Sequence, residues 1–479
     1  MSQPSDAKVA DEPARAAPVL GEPAPPSPTP GPEADLHALP GQVGSGAEPR
    51  PTGRVAPPVE AASARYFEDV TDLIVRTIEA TDGPIIGWAH DRPDPDTMGG
   101  NALLGYLLKE KFGRSYTCYY SKRMTFLMNR SLAANFVPSG LLRRCEQTDT
   151  LSEIAHKAAL ICILDATCPE IMTDFAHLIR RSPEVREKPI LFIDHHRKGT
   201  SDVEDLPNAT GARYEAAQAT SAILVHVLRN LGLDLKTSEE GFRLAVVARA
   251  GIDTDLIGVD PQGYTDSTRA ALAYLDEVLG EKGRDILERL KAIKHPLAWY
   301  QKLGQALAEV EHYDTTVAVA GLGVIDDTGI VPFVANRLMS MCPFKTVVVF
   351  GITYDRIEGQ LVSVDLDASG RSTQDQEIVL PDLFHEVFFV TDPIGRKTSK
   401  GGGRTNALLG DYSGAGASVP LDYWRQLPTK SADDKIELLR RLAWPAEFLR
   451  IRHLLASRAH ALKPEKIRSV VPLPALDGL

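Results

Sequence analysis

Acids and imidazoles gather in four segments of this chain, and three of those segments directly follow a short apolar run. "IIGWAHDRPDPDTMGG" delivers His90, Asp94 and Asp96, "ICILDATCPE" ends its apolar run at Asp165, and "PILFIDHHRKG" delivers Asp194, His195 and His196. The fourth, "GIDTDLIG", supplies Asp253 and Asp255 after a mostly apolar helical run. Histidines mixed with carboxylates, without thiolates, suit Mn²⁺ or a similar hard-to-borderline cation and not a cysteine-built zinc site. The donors suffice for two cations, with a carboxylate such as Asp165 able to bridge them. Two such ions together activate water and stabilise both the attacking and the leaving oxygen on phosphorus. Each segment alone also admits a plainer reading, as a turn, a helix cap or the polar end of a strand. Their number favours chemistry.

Residues so placed need strands to carry them. At the carboxyl end of a parallel strand they project into the crevice where open α/β sheets hold ligands. "GPIIGWAH", "SYTCYY", "AALICILDA" and "KPILFIDHH" read as strands, separated by helical stretches such as "NALLGYLLKEKFG", which Gly113 should stop, and "CPEIMTDFAHLIRR". Strands alternating with helices imply an α/β fold with a doubly wound, mainly parallel sheet. Gly99 and Gly100 are expected to let the backbone approach a ligand closely, and Pro93 and Pro95 to stiffen their loop. "TSAILVHVLRNLG" and "EEGFRLAVVARAGIDTD" close this first domain as helices. A smaller α/β unit follows, with "TTVAVAGLGVI", "KTVVVFGITYD" and "GQLVSVDLD" as strands, "VPFVANRLMSM" as a helix and "KTSKGGGRTNALLG" as a glycine loop. "VSVDLDASGRS" offers Ser363 or Arg371 to the cleft, or is a plain hairpin. The resulting division is a Pro/Ala-rich disordered tail over 1–62, a catalytic domain over 63–265 and a helical connector over 266–313. A substrate domain spans 314–419 and a helical extension 420–479, the latter a helix pair broken near Pro445.

Bulk composition narrows the partners. A net charge of -11 argues against long duplex nucleic acid, which demands a broad basic surface. No run approaches the roughly 18 apolar residues of a membrane span, and "MSQPSDAKVADEPARAAP" lacks the apolar core of a secretory signal. Five cysteines, odd in number and never in C-x-x-C spacing, read as reduced core thiols, so the expected location is cytoplasmic. Charge alone leaves room for a local basic pocket for a small anion, and a homodimer is compatible with the sequence.

The order H-x-x-P-D-x-D, strand-Asp, I-D-H-H and G-I-x-T-D resembles the DHH phosphoesterase superfamily, which includes RecJ-type nucleases, nano-RNases that also act on 3'-phosphoadenosine 5'-phosphate, and family II inorganic pyrophosphatases. The resemblance covers residues 69–258, and a weaker one to the DHHA1 substrate domain continues to about residue 416. It implies a two-lobed enzyme with the active site in the cleft between lobes, hydrolysing phosphoesters by water activated at two Mn²⁺ ions, with Mg²⁺ or Co²⁺ as substitutes. Taken together with the acidic charge, the resemblance makes a small nucleotide or a short single-stranded oligonucleotide the expected partner. By the same resemblance His90 and Asp94 belong to one metal and Asp96 to the other, with Asp165 shared. His195 and Asp255 complete the donor set of the second metal, Asp255 being preferred to Asp253 because relatives use the acid after threonine. Asp194 would orient His195 or its neighbours, and His196 would contact the phosphate. Gly401, Gly402, Gly403 and Arg404 correspond to the G-G-G-H of DHHA1 domains and are expected to bind substrate. The chain departs from relatives at Arg404, where they carry histidine, and at Leu256-Ile257, where they carry T-G. Those departures leave open a pyrophosphatase- or polyphosphatase-like phosphoanhydride hydrolase, or a weakened nucleotide-binding regulatory protein.

Overall fold

The computed structural model describes residues 59–462 apart from 91, 122, 125, 146–147, 167–181, 197, 199–202, 257–260, 314–316, 358–359, 374–386, 388–389, 392–396, 399, 406–408 and 416–430. Most of the tail read as disordered and the helix expected over "CPEIMTDFAHLIRR" therefore lie outside the described residues. The first lobe is built on a parallel sheet of β1 (Ile85–Trp88), β2 (Tyr116–Tyr120), β3 (Leu142–Arg144), β4 (Leu160–Leu164), β5 (Ile190–Asp194) and β6 (Ala209–Arg213). Their order is β3-β2-β1-β4-β5-β6. The chain winds outward from β1, then restarts at β4 on the other side of β1. The carboxyl ends of β1 and β4 thus mark the topological switch point, where such sheets open a crevice.

Strands β1, β4 and β5 are buried along their whole length, as strands covered on both faces must be. One face packs against α1 (Val59–Glu79) and α2 (Pro95–Phe112), and the opposite face against α4 (Thr148–Lys157) and α5 (Pro183–Arg186), with α3 (Leu127–Asn135) between β2 and β3. Further helices of the first core are α6 (Thr220–Asn230), α7 (Glu239–Asp255) and α8 (Asp266–Lys291). Helix α2 begins with Asp94 as its cap and Pro95 at its first position, where a missing N–H costs nothing. It ends at Gly113 in the left-handed conformation, φ 62°, as its sequence predicts. Every residue from Pro95 to Leu108 is buried, so α2 runs through the middle of the lobe and not along its surface. The glycines of "MGG" serve that burial. A Cβ on Gly99 would lie 2.3 Å from Ser221 Oγ and 3.0 Å from Ala248 Cα, so the close approach is between helices. This corrects the expectation that these glycines admit a ligand.

The second lobe begins at α9 (Leu297–Glu309) and carries a mixed sheet ordered β13-β14-β10-β9-β8-β7. Its strands are β7 (Glu311–Tyr313), β8 (Val317–Ile325), β9 (Thr346–Ile357), β10 (Gln360–Thr373), β13 (Lys400–Thr405) and β14 (Leu409–Ala415). Only β8 and β9 among its described pairs run parallel. A separate two-residue pair, β11 (Val390–Thr391) with β12 (Lys397–Thr398), lies between β10 and β13 in sequence. The "GGGR" run, read as a loop, is the edge strand β13, with Arg404 in register with Asp411 of β14. Alternate residues of β8 and β9 separate the two faces. Ala318, Ala320, Val347 and Val349 pack under α9 and α10 (Ile330–Met341), while Val317, Val319, Val348 and Phe350 pack under the C-terminal helices. Those helices, α11 (Ala432–Leu438) and α12 (Trp444–Leu462), are joined by a π-helical turn at Leu439–Ala443. Pro445 sits second in α12, a position that tolerates its lost N–H, so the sequence break becomes a widened turn. No helix among the described residues is long and apolar enough to cross a membrane.

Candidate metal centre

Three strand ends and three helix ends converge at the switch point. His90 leaves β1, and its Nε2 lies 2.7 Å from the Asp165 carbonyl oxygen. That oxygen can only accept, so Nε2 is the donor in this contact. Asp94 caps α2, accepting from Thr97 N at 2.8 Å. Asp96, in the first turn of α2, is fully buried and accepts from Thr220 N at 2.7 Å and Ser221 N at 2.9 Å. Both donors belong to the first turn of α6, whose N–H groups have no intrahelical partner and favour negative charge. Asp165 follows β4 with φ 62°, a conformation that costs a non-glycine residue energy and is kept only where its surroundings insist. Its carboxylate accepts from Thr97 Oγ1 at 2.9 Å and Thr220 Oγ1 at 3.2 Å.

From β5 come Asp194, His195 and His196, and Asp255 arrives from the last turn of α7. The Nε2 atom of His195 is 3.0 Å from Asp255 Oδ2, 3.2 Å from Asp165 Oδ1 and 3.8 Å from Asp96 Oδ2. One imidazole nitrogen donates to one oxygen at a time, so three buried carboxylates around it repel one another. Burial, followed by the charge of Asp255, lifts the Asp96 carboxyl to about 6. Burial, followed by Asp96 and Asp94, raises Asp165 well above the usual carboxylate range. A divalent cation would relieve that repulsion, and the oxygen-rich donor set with imidazole fits such an ion.

The candidate ligand atoms form three overlapping groups, each with its atoms within 4.8 Å of one another. The first joins His90, Asp94 and Asp165; the second joins Asp96, Asp165, His195 and Asp255, all buried; the third joins Asp165, Asp194, His195 and His196. Asp165 belongs to every group. All six side chains expected to hold metal are therefore brought together, as are Asp194 and His196. Asp194 accepts from both the backbone N of His196 at 2.9 Å and its Nδ1 at 2.8 Å. Although burial opposes its charge, the charge and hydrogen bonds of His196, helped by His195, hold Asp194 well below its usual range. Asp194 thus orients His196 and leaves Nε2 as the ring nitrogen able to serve a ligand.

Asp253 stands apart. It pairs with Arg249 on its own helix and with Lys291 of α8 at 3.3 Å, and joins no candidate metal group. Arg371 is buried and donates to Asn336 Oδ1 at 2.5 Å, Ser369 Oγ at 2.9 Å and the Gly370 carbonyl at 2.7 Å. The antiparallel pairing of β9 and β10 gives its segment the hairpin form. The remaining described histidines also join no such group: His226 stacks on Phe67 and His295 on Trp299. Thr97, Thr220, Ser221 and Arg213 escape sequence reasoning altogether. Arg213, at the end of β6, donates to the His196 carbonyl at 2.6 Å and lies 3.8 Å from Asp194. The only signal for the first three is their position at helix starts, which reads equally as capping.

No family model matches this chain, and no curated protein does. Solved structures do. An exopolyphosphatase-related protein from Bacteroides fragilis superposes with a TM-score of 0.52 at 16% identity, covering 83% of this chain and 98% of its own. A putative family II inorganic pyrophosphatase from Methanococcus jannaschii gives 0.32 at 16% identity over 64% of this chain and 90% of that one. RecJ from Thermus thermophilus, in complex with Mn²⁺, gives 0.38 at 14% identity over 82% of this chain and 55% of that one. At these identities the Bacteroides likeness speaks to fold, and the two lower scores add no weight. The parallel sheet, the mixed second sheet and that likeness agree with the motif order, and the chain has the fold of the DHH superfamily.

Proposed function

We propose that this chain is a metal-dependent phosphohydrolase that cleaves phosphoester bonds in short oligonucleotides or small nucleotides. The observation that carries the reading is the set of overlapping donor groups sharing Asp165. His90 and Asp94 would hold one ion, Asp96, His195 and Asp255 the other, and Asp165 both. Two Mn²⁺ ions, with Mg²⁺ or Co²⁺ as substitutes, would lower the pKa of water and neutralise charge growing on the phosphoryl oxygens. Around them, Thr97 and Thr220 fix the Asp165 carboxylate, and the α6 amides fix Asp96. His196, oriented by Asp194, would contact the phosphate. In the accompanying division of labour, the first lobe would be the catalytic part and the second the substrate-binding part, with Gly401–Gly403 and Arg404 on β13 meeting a phosphate.

The test is a screen with Mn²⁺ of dinucleotides, 3',5'-bisphosphonucleotides, cyclic dinucleotides, pyrophosphate and polyphosphate, read by phosphate release and chromatography. Hydrolysis of a nucleotide phosphoester, abolished by chelation and restored by Mn²⁺ better than by Ca²⁺, is expected. Release of phosphate from the anhydrides alone would move the reaction to phosphoanhydride cleavage. Full activity in a chelated, metal-free sample would refute the metal mechanism.

A further inference from the structure

One ion pair ties the second lobe to the loop that presents His90 and Asp94. Arg92, between those two residues in sequence, places Nη2 3.6 Å from Asp367 Oδ2 of β10. Both side chains are sheltered, at 23% and 14% exposed, so water screens the pair less than an open surface pair. The acid is itself anchored, because the hydroxyl of Thr353, a residue 1% exposed on β9, donates to the same Asp367 oxygen.

The two ends of the metal cluster differ in what holds them. Asp96, Asp165, His195 and Asp255 are buried within the first lobe. His90 and Asp94 are half-buried. Within their own lobe they rely on the α2 cap, on His90 against the Asp165 carbonyl, and on Asn129 Nδ2, which donates to the Pro93 carbonyl at 3.2 Å. Of these, the Asn129 bond reaches the stretch between the two ligand candidates. Other described contacts near this side of the cleft include Phe126, which meets Trp299 edge-on with ring centroids 5.6 Å apart, and the charge of Arg123, which reaches Asp327 of the second lobe. These contacts hold the lobes together, whereas the Arg92–Asp367 pair acts on the loop that carries His90 and Asp94.

We propose that Asp367 is a positioning residue of the metal site: from the second lobe it holds Arg92, and through Arg92 sets His90 and Asp94 in their metal-binding arrangement. The ion most dependent on His90 and Asp94 is then bound firmly only when the lobes are closed. The inference rests on the metal reading of the cluster, but its geometric half stands without metal.

Four proteins test it: wild type, Asp367→Asn, Asp367→Arg and the charge exchange Arg92→Asp with Asp367→Arg. Mn²⁺ binding is followed by calorimetry, and lobe closure in chelator by small-angle scattering. Both single variants are expected to weaken the lower-affinity Mn²⁺ site about tenfold, the scale of losing an outer-shell partner of a ligand. The higher-affinity site should stay unchanged, the radius of gyration should rise, and the exchange should recover both. Single variants identical to wild type in scattering and titration would overturn the proposal, as would a loss that the exchanged pair fails to recover. A wild type that binds no Mn²⁺ yet expands on Asp367→Asn would refute the metal reading and leave the lobe contact standing.

Discussion

Two aspartates two residues apart on α7 should fail in opposite ways. Asp255 is 5% exposed and lies 3.0 Å from His195 Nε2 among Asp96 and Asp165. Replacing it with Asn keeps the volume and removes one of four donors and one of three crowded charges. Metal affinity should therefore fall by more than the roughly 10–100-fold that losing an outer-shell partner costs. The metal-free protein should hold its stability or gain some, because the charge that helps lift Asp96 is gone. Asp253 is the reverse case. Its partners are Arg249 and Lys291, and its side chain is 22% exposed, so solvent takes part of the interaction. Asp253→Asn should cost about 0.5–1 kcal/mol, a drop in melting temperature of roughly 1–4 °C, with Mn²⁺ affinity intact. Thermal melts in chelator and calorimetric Mn²⁺ titrations of both purified variants separate the outcomes. If Asp253→Asn loses the metal while Asp255→Asn keeps it, the assignment of α7 to the cluster is wrong by two residues.

Three further outcomes are expected. In chelator the folded protein binds a proton at Asp96 more readily than the unfolded chain does, so stability should decline as pH rises from about 4 to about 6, by an amount on the order of 2–3 kcal/mol. Asp194 acts oppositely, its contribution being lost below about pH 4, while the stabilisation gained from Mn²⁺ should grow through the upper window; melting curves from pH 4 to 7.5 that rise steadily in chelator would contradict this. Gly251→Ala should destabilise the first lobe by about 1–3 kcal/mol and weaken Mn²⁺ binding, since its Cβ would meet Asp96 Cα and the Pro95 carbonyl at 2.9 Å; an unchanged melt would show that α2 and α7 can part at no cost. Arg404→Ala should raise KM by the roughly 1.5–3 kcal/mol of a charge-assisted hydrogen bond while metal content holds, and an unchanged kcat/KM would remove β13 from the substrate site.

What the sequence reveals and conceals here follows burial. Strands β1, β4 and β5 are apolar runs that lead into His90, Asp165 and Asp194, so both their existence and their chemistry are visible in one dimension. The edge strands are not: "LRR" of β3 is three residues long and "ATGAR" of β6 has few strand formers. Their neighbours supply the pairing that their composition does not advertise. The glycine run of β13 reads as a loop for the same reason, since its order comes from β14. Around the metal cluster the donors are legible because acids and histidines are rare after apolar runs. Thr97, Thr220 and Ser221 are not, because a hydroxyl at a helix start has an ordinary capping role wherever the chain later folds. The packing role of Gly99 is hidden on the same ground: its neighbour Ala248 is remote in sequence.

The restart of the sheet at β4 also governs when the cluster can exist. Its donors are spread from His90 to Asp255, so the two groups that draw on His90, Asp94 or Asp96 are incomplete until β4 has docked beside β1, and the four-donor group waits further for the end of α7. At usual rates of synthesis the ribosome needs roughly ten to thirty seconds to cover that stretch. During that interval the nascent chain carries several carboxylates with no cation-sized enclosure around them. A metal held by the four-donor group would therefore be captured only after docking, and a chain stalled before Asp255 would leave the ribosome unable to assemble that group, however well its early strands had folded.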